Sequence, residues 1–173
     1  GLLYAKADLL EKMPPLFGGG DMISEVTFEK STWNEVPFKF EAGTPHIAGV
    51  IGFAAAADYI MDLGFEAIQK QEEHLYELAK AELEKIDDLI FFGTSKDKVA
   101  VFAFGFAGVH PSDLGTIMDQ YGVAVRTGHH CTQPLMAQFK VPGTTRASFS
   151  FYNNDDDVYR LRDAILKARE FLL

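Results

Sequence analysis

The sequence predicts a mixed α/β domain, a small sheet with helices packed against it. Three features point there. Residues 99–106 alternate Phe102, Phe104 and Phe106 with Val99, Val101 and Ala103, the period-two pattern of a half-buried strand. Residues 65–86 place Ile68, Leu75, Leu78 and Leu83 at helical spacing among charges. From Leu89 onward the chain reads strand, strand, helix, strand, short helix, strand, helix, with two helices ahead of it.

In order, residues 1–6 read as a short buried strand, and residues 8–13 as a helical turn closed by Pro14-Pro15. Gly18-Gly19-Gly20 lacks the Lys-Ser/Thr that would follow in a P-loop, so a plain turn is the better reading. Residues 22–28 suggest a strand, and residues 33–40, interrupted by Pro37, a loop or edge strand. Thr44 is read as a possible cap and Pro45 as first-turn residue of a helix starting at His46. Residues 47–63, rich in Ala and Gly, suit close packing; Gly49, Gly52, Asp58 and Asp62 break them too often for a membrane span. On the next helix Glu72, Glu73, Glu77, Lys80 and Glu84 form a solvated face, and His74 has no assigned role. Residues 89–92 and 99–106 are strands joined by a turn over 94–98. Ser112 is read as the cap of a helix that Gly122 ends. Residues 123–125 are a short strand, 134–139 a short helix and 145–152 a strand with Ala147, Phe149 and Phe151 on one face. Asn154-Asp155-Asp156-Asp157 opens the last amphipathic helix, with Lys167 and Arg169 near its end.

A chain of 173 residues that is 47% apolar can bury a substantial core and is not of disordered composition. Its net charge of −9 gives no reason to expect nucleic acid or an anionic membrane, so an anionic substrate would need local cations. One cysteine excludes an intrachain disulfide framework and fits a reducing cytoplasmic setting.

That cysteine lies in Val125-Arg126-Thr127-Gly128-His129-His130-Cys131-Thr132-Gln133-Pro134. Arg126 and Arg146, the two of five arginines outside the C-terminal tail, bracket it. Positive neighbours lower a thiol's pKa, and Arg126, His129 and His130 are candidates, so Cys131 can be a sulfur nucleophile with Arg146 anchoring a substrate carboxylate. A metal site of His129, His130 and Cys131 is poor, because adjacent residues rarely converge on one ion. An inert buried thiol is the third reading, and residue types alone leave it level with the first.

Arg126-Thr127-Gly128-His129-His130-Cys131, Gln133-Pro134-Leu135-Met136 and Arg146-Ala147-Ser148 resemble the group II (SufS-type) cysteine desulfurases and the related selenocysteine lyases. Met13-Pro14-Pro15, Gly18-Gly19-Gly20, Phe40-Glu41-Ala42-Gly43-Thr44-Pro45 and His110-Pro111 match the same family in the same order. The resemblance implies an aspartate-aminotransferase-like (fold type I) architecture, pyridoxal 5′-phosphate, and removal of sulfur from L-cysteine to give L-alanine and an enzyme persulfide for iron–sulfur cluster assembly. It implies that Cys131 carries the persulfide, that Arg146, with Arg126, binds substrate, and that Gly128, His129 and His130 support the nucleophile loop. Thr44, beside Gly43, would reach the cofactor phosphate of the neighbouring subunit in a homodimer. A sulfur-acceptor protein of SufE or SufU type is the implied partner. The family's cofactor lysine sits in a Ser-His-Lys motif, which none of the eleven lysines here occupies. The resemblance therefore implies a C-terminal fragment, inactive alone, with residues 1–45 a remnant of the large domain and 46–173 the small domain. Thr132 stands where the family often has Ala. The alternative from another class is an interaction domain that accepts sulfur or docks a carrier without its own catalysis.

Overall fold

A computed structural model gives the fold and describes residues 1–93, 95 and 98–173. The turn expected over 94–98 lies partly outside the described residues. The chain divides into two compact units, Gly1–Tyr59 and Ile60–Leu173.

The first unit holds helix α1 (Ala7–Lys12), strands β1 (Ile23–Val26) and β2 (Ser31–Trp33), a 3₁₀ turn at Phe38–Phe40, and most of helix α2 (Ile47–Leu63). β1 and β2 form an antiparallel hairpin. Residues 1–6, expected as a buried strand, form none: Leu2, Leu3 and Tyr4 are exposed, and a strand requires a ladder partner that these residues lack among the described ones. Of the glycine triplet, Gly20 lies in a turn, over residues 20–22. The Gly20 carbonyl accepts from the N–H groups of Met22 (2.8 Å) and Gly43 (2.9 Å), tying the two glycine-containing loops together. α2 begins later than expected. The His46 carbonyl accepts the first helical bond, from Val50 (2.9 Å), so Thr44 lies too far upstream to cap the first turn and Pro45 precedes the helix. The close packing expected of α2 is also absent: none of its residues is buried, and Ile47, Val50, Ile51 and Phe53 are exposed. Small residues permit close approach, but burial needs a second surface.

The second unit contains α3 (Phe65–Leu83), β3 (Ile90–Phe92), β4 (Val101–Gly105), α4 (Pro111–Gln120), β5 (Arg126–Gly128), α5 (Gln133–Phe139), β6 (Thr144–Ser148) and α6 (Asp155–Leu172). The order matches the expectation from Leu89 onward. The strands form one antiparallel sheet in the order β3-β4-β6-β5. One sheet face carries Phe102, Phe104, Thr145 and Ala147, which are buried with Leu75, Leu83, Leu114, Met118, Leu161 and Ile165 of α3, α4 and α6. Phe102, Phe104 and Phe106 are all buried, as their alternation predicts.

Several boundaries differ from the sequence reading; α3 stops at Leu83 rather than 86, and β4 spans Val101–Gly105 rather than 99–106. α4 is capped by His110, whose Nδ1 accepts from the Ser112 N–H (3.3 Å), rather than by Ser112. An imidazole acceptor one residue ahead of Pro111 does what the hydroxyl was expected to do. The strand expected at 123–125 lies at Arg126–Gly128, because its register is fixed by β6: Arg126 pairs with Arg146, Thr127 with Thr145 and Gly128 with Thr144. β6 ends at Ser148, short of the expected residue 152. Among the described residues no single helix is long and apolar enough to cross a membrane.

Candidate active site

β6 is the platform of the site. Its core-facing Thr145 is fully buried and its hydroxyl donates to the Pro111 carbonyl (3.4 Å). Alternation then sends Thr144, Arg146 and Ser148 to the opposite sheet face. In an antiparallel pair directly opposed residues share a face, so Arg126 of β5 stands beside Arg146 on the side away from α3, α4 and α6. Arg146 is half-buried, and its Nε is buried without a hydrogen-bond partner among the described residues.

Two glycines bring the following loop onto β6. A Cβ at Gly143 would lie 2.8 Å from the backbone of Gly128, so glycine at 143 lets the two segments meet. Gly128 itself has φ 111, a conformation other residues resist. From there the chain makes a tight turn. Both the backbone N–H (2.8 Å) and the hydroxyl (2.7 Å) of Thr132 donate to the His129 carbonyl. The two residues inside, His130 and Cys131, are left-handed, with φ 54 and 63. Each such conformation costs a residue with a Cβ roughly 1–2 kcal/mol, so the turn needs external support. Pro134 then stands in the first turn of α5.

The turn exposes the Cys131 thiol to solvent, with an Arg126 guanidinium N–H donating to Sγ at 3.8 Å. His129 is exposed. The His130 ring is half-buried, and its Nε2 sits 3.1 Å from the Thr144 carbonyl and 3.0 Å from the Thr144 hydroxyl. Its Nδ1 is buried without a hydrogen-bond partner among the described residues. Burial pushes the His130 pKa below the ordinary histidine value, the Thr144 backbone contact opposes that, and the charges of Arg146 and Arg126 add to the lowering.

The structure thus brings Arg126, Gly128, His129, His130, Cys131 and Arg146 together in one unit. Thr44 and Gly43 belong to the other unit. The sequence reading missed Thr144 and Gly143; their signal was a small residue and a hydroxyl placed just before Arg146.

An exposed, arginine-contacted thiol at the rim of a helix-backed antiparallel sheet suits sulfur chemistry on a small anion. The chain belongs to the aminotransferase class-V family, whose pattern matches residues 1–161. It is 46% identical over 172 residues to a probable cysteine desulfurase of Xylella fastidiosa, covering 99% of this chain and 41% of that one. It is 48% identical over 171 residues to a cysteine desulfurase of Haloferax volcanii, covering 98% of this chain and 40% of the relative. Among solved structures, the Escherichia coli cysteine desulfurase CsdA, in an S-sulfonic acid form, superposes with a TM-score of 0.90 at 42% identity, over 98% of this chain and 42% of that one. The fold-type-I architecture expected from the resemblance is met by this likeness. The chain spans about two fifths of the length of the relatives it matches.

A solved neighbour of the same fold, a C-DES variant, holds glycine linked to a pyridoxal-phosphate cofactor (18% identity, TM-score 0.68). Two residues of this chain fit a phosphate. The Thr44 hydroxyl is exposed and makes no hydrogen bond among the described residues, and Gly43, at φ 79, leaves open space beside it. Lys39 is buried, but its ammonium donates to the Glu11 carbonyl (2.9 Å) and lies 5.3 Å from the centre of the Phe40 ring.

Proposed function

We propose that the full-length protein is a pyridoxal-phosphate-dependent cysteine desulfurase, with this chain as its C-terminal part. The observation that carries the reading is the solvent-facing Cys131 sulfur beside the Arg126 guanidinium, on a sheet face that also presents Arg146. Identity of 46–48% to proteins bearing that name supports it.

L-cysteine is the substrate in this reading. Arg146, whose Nε lacks an internal partner, takes the substrate carboxylate through a planar charge-assisted pair. Arg126 steadies anionic sulfur at Cys131. Sγ of Cys131 forms an S–S bond with the substrate sulfur as the substrate's C–S bond breaks. The bond pair stays with carbon, which takes a proton to become alanine, and Cys131 keeps a persulfide. Pyridoxal phosphate, when bound, supplies the electron sink for charge at the substrate α-carbon. Thr44 and Gly43 would hold its phosphate, from the neighbouring subunit of a homodimer. Residues 1–45 would belong to the large domain and 46–173 to the small one. The exposed thiol leaves the persulfide open to exchange with an acceptor of SufE or SufU type for iron–sulfur assembly, in a reducing cytoplasmic setting.

Cys131→Ser in the full-length enzyme should abolish alanine formation from L-cysteine while leaving cofactor absorbance in place. Undiminished turnover would refute the assignment.

A further inference from the structure

Two adjacent histidines precede the thiol, and their geometry separates them. His129 is exposed, whereas the His130 ring reaches back to β6. Its Nε2 lies 3.1 Å from the Thr144 carbonyl oxygen, which can only accept. The Thr144 hydroxyl, 3.0 Å from the same nitrogen, can donate or accept, so the carbonyl selects the tautomer: a proton on Nε2 satisfies it, whereas a bare Nε2 would set lone pair against lone pair. Nδ1 is then a bare acceptor, buried with no donor among the described residues. Protonating it would create an N–H with no acceptor among the described residues, beside Arg126 and Arg146, so the charged ring is disfavoured. Such a ring, with its single N–H already committed, is unsuited to shuttling protons. Meanwhile His130 and Cys131 sit in consecutive left-handed conformations that cost energy unless something outside the turn fixes them. Thr144 is buried and paired with Gly128, which makes it a rigid anchor.

We propose that His130 is a positioning residue: by donating its Nε2 proton to the Thr144 carbonyl it latches the left-handed turn onto β6, and so holds the Cys131 sulfur against Arg126. The latch spans fourteen residues and ties the one strained segment of the loop to the sheet. Its purpose rests on Cys131 being the nucleophile, but its test needs no turnover.

The test is the alkylation rate of Cys131 by iodoacetamide at neutral pH in the full-length protein, read in a double-mutant cycle. Arg126→Met should slow alkylation about three- to fivefold in the wild-type background, the scale of an exposed charge contact. In His130→Ala the same substitution should have no effect, because the sulfur no longer rests by Arg126. In His130→Gln, whose amide N–H can reach the same carbonyl, the effect of Arg126→Met should return. Thr144→Val, which keeps the carbonyl, should preserve it too. An equal effect of Arg126→Met in the wild-type and His130→Ala backgrounds, or none in either, overturns the proposal. Should His130→Ala fail to fold, the glutamine background decides, and loss of the Arg126 effect there overturns it. Failure on any of these counts leaves the desulfurase reading intact, since that reading stands or falls on Cys131→Ser turnover.

Discussion

Arg126 and Arg146 occupy directly paired positions on β5 and β6. Like charges at such positions cost a sheet roughly 0.2–1 kcal/mol, and an anion between them removes that cost. Arg146→Ala should therefore raise KM for L-cysteine about ten- to hundredfold, the scale of a charge-assisted hydrogen bond, while leaving the urea midpoint unchanged or higher. An unchanged KM together with a fall in stability would make Arg146 a packing residue instead. At this scale the sequence exposed Cys131 as the lone thiol and the two arginines as its neighbours. Thr144 and Gly143 were not legible as parts of the site. Their roles come from contacts with His130 and Gly128, across fourteen and fifteen residues, that no local pattern encodes. The left-handed φ values of His130 and Cys131 were hidden for a related reason. Residues of those types rarely adopt them, and here the surroundings overrule that preference.

Helix ends show where local chemistry suffices. At α6 the Asn154 side chain accepts from the Asp157 N–H (3.2 Å) and Asp157 Oδ2 accepts from the Asn154 N–H (3.1 Å), a reciprocal capping box. Asn153 Nδ2 donates to the same Asp157 carboxylate (3.0 Å), and Gln71 of α3 donates to the Asn153 carbonyl (2.9 Å). Asn154→Ala should cost about 1 kcal/mol, measured as a drop in urea midpoint without change in slope; no drop would mean that Asp157 and Asn153 hold the end by themselves. The Asn-Asp-Asp-Asp run announced this cap. At α4 the same reasoning chose Ser112, and a histidine ring took the position instead. β5 was placed three residues early because the apolar Val123 to Val125 looked more strand-like than Arg126 to Gly128. Pairing with β6, not apolarity, decides which residues enter the ladder.

Across the second unit, element types and their order were readable, whereas the sheet order β3-β4-β6-β5 was not, since it depends on β4 meeting a strand some forty residues away. Among the described residues, the unit's response to acid follows from Glu82, Asp157 and His130. Hydrogen bonds from Lys85 and then Arg162 hold the Glu82 carboxyl below its ordinary value, and those from the Asn153 side chain and the Asn154 backbone do the same for Asp157. Burial lowers His130. In each case the unfolded chain binds the proton more readily, so between the folded and unfolded values stability rises with pH. Acidification should weaken the unit first below the ordinary histidine value of about 6.5, then again through the carboxylate range. His130→Gln should remove the first step and keep the second; a curve that keeps its first step in that variant would assign it to another group. In the proposed reaction, sulfur from L-cysteine comes to rest on Cys131. The most direct test is the intact and peptide mass of the full-length, cofactor-loaded protein after brief exposure to L-cysteine without reductant. A gain of one sulfur atom on the Cys131 peptide, reversed by a thiol reductant, is expected. No gain there, or a gain on another residue that persists in Cys131→Ser, would contradict that reaction.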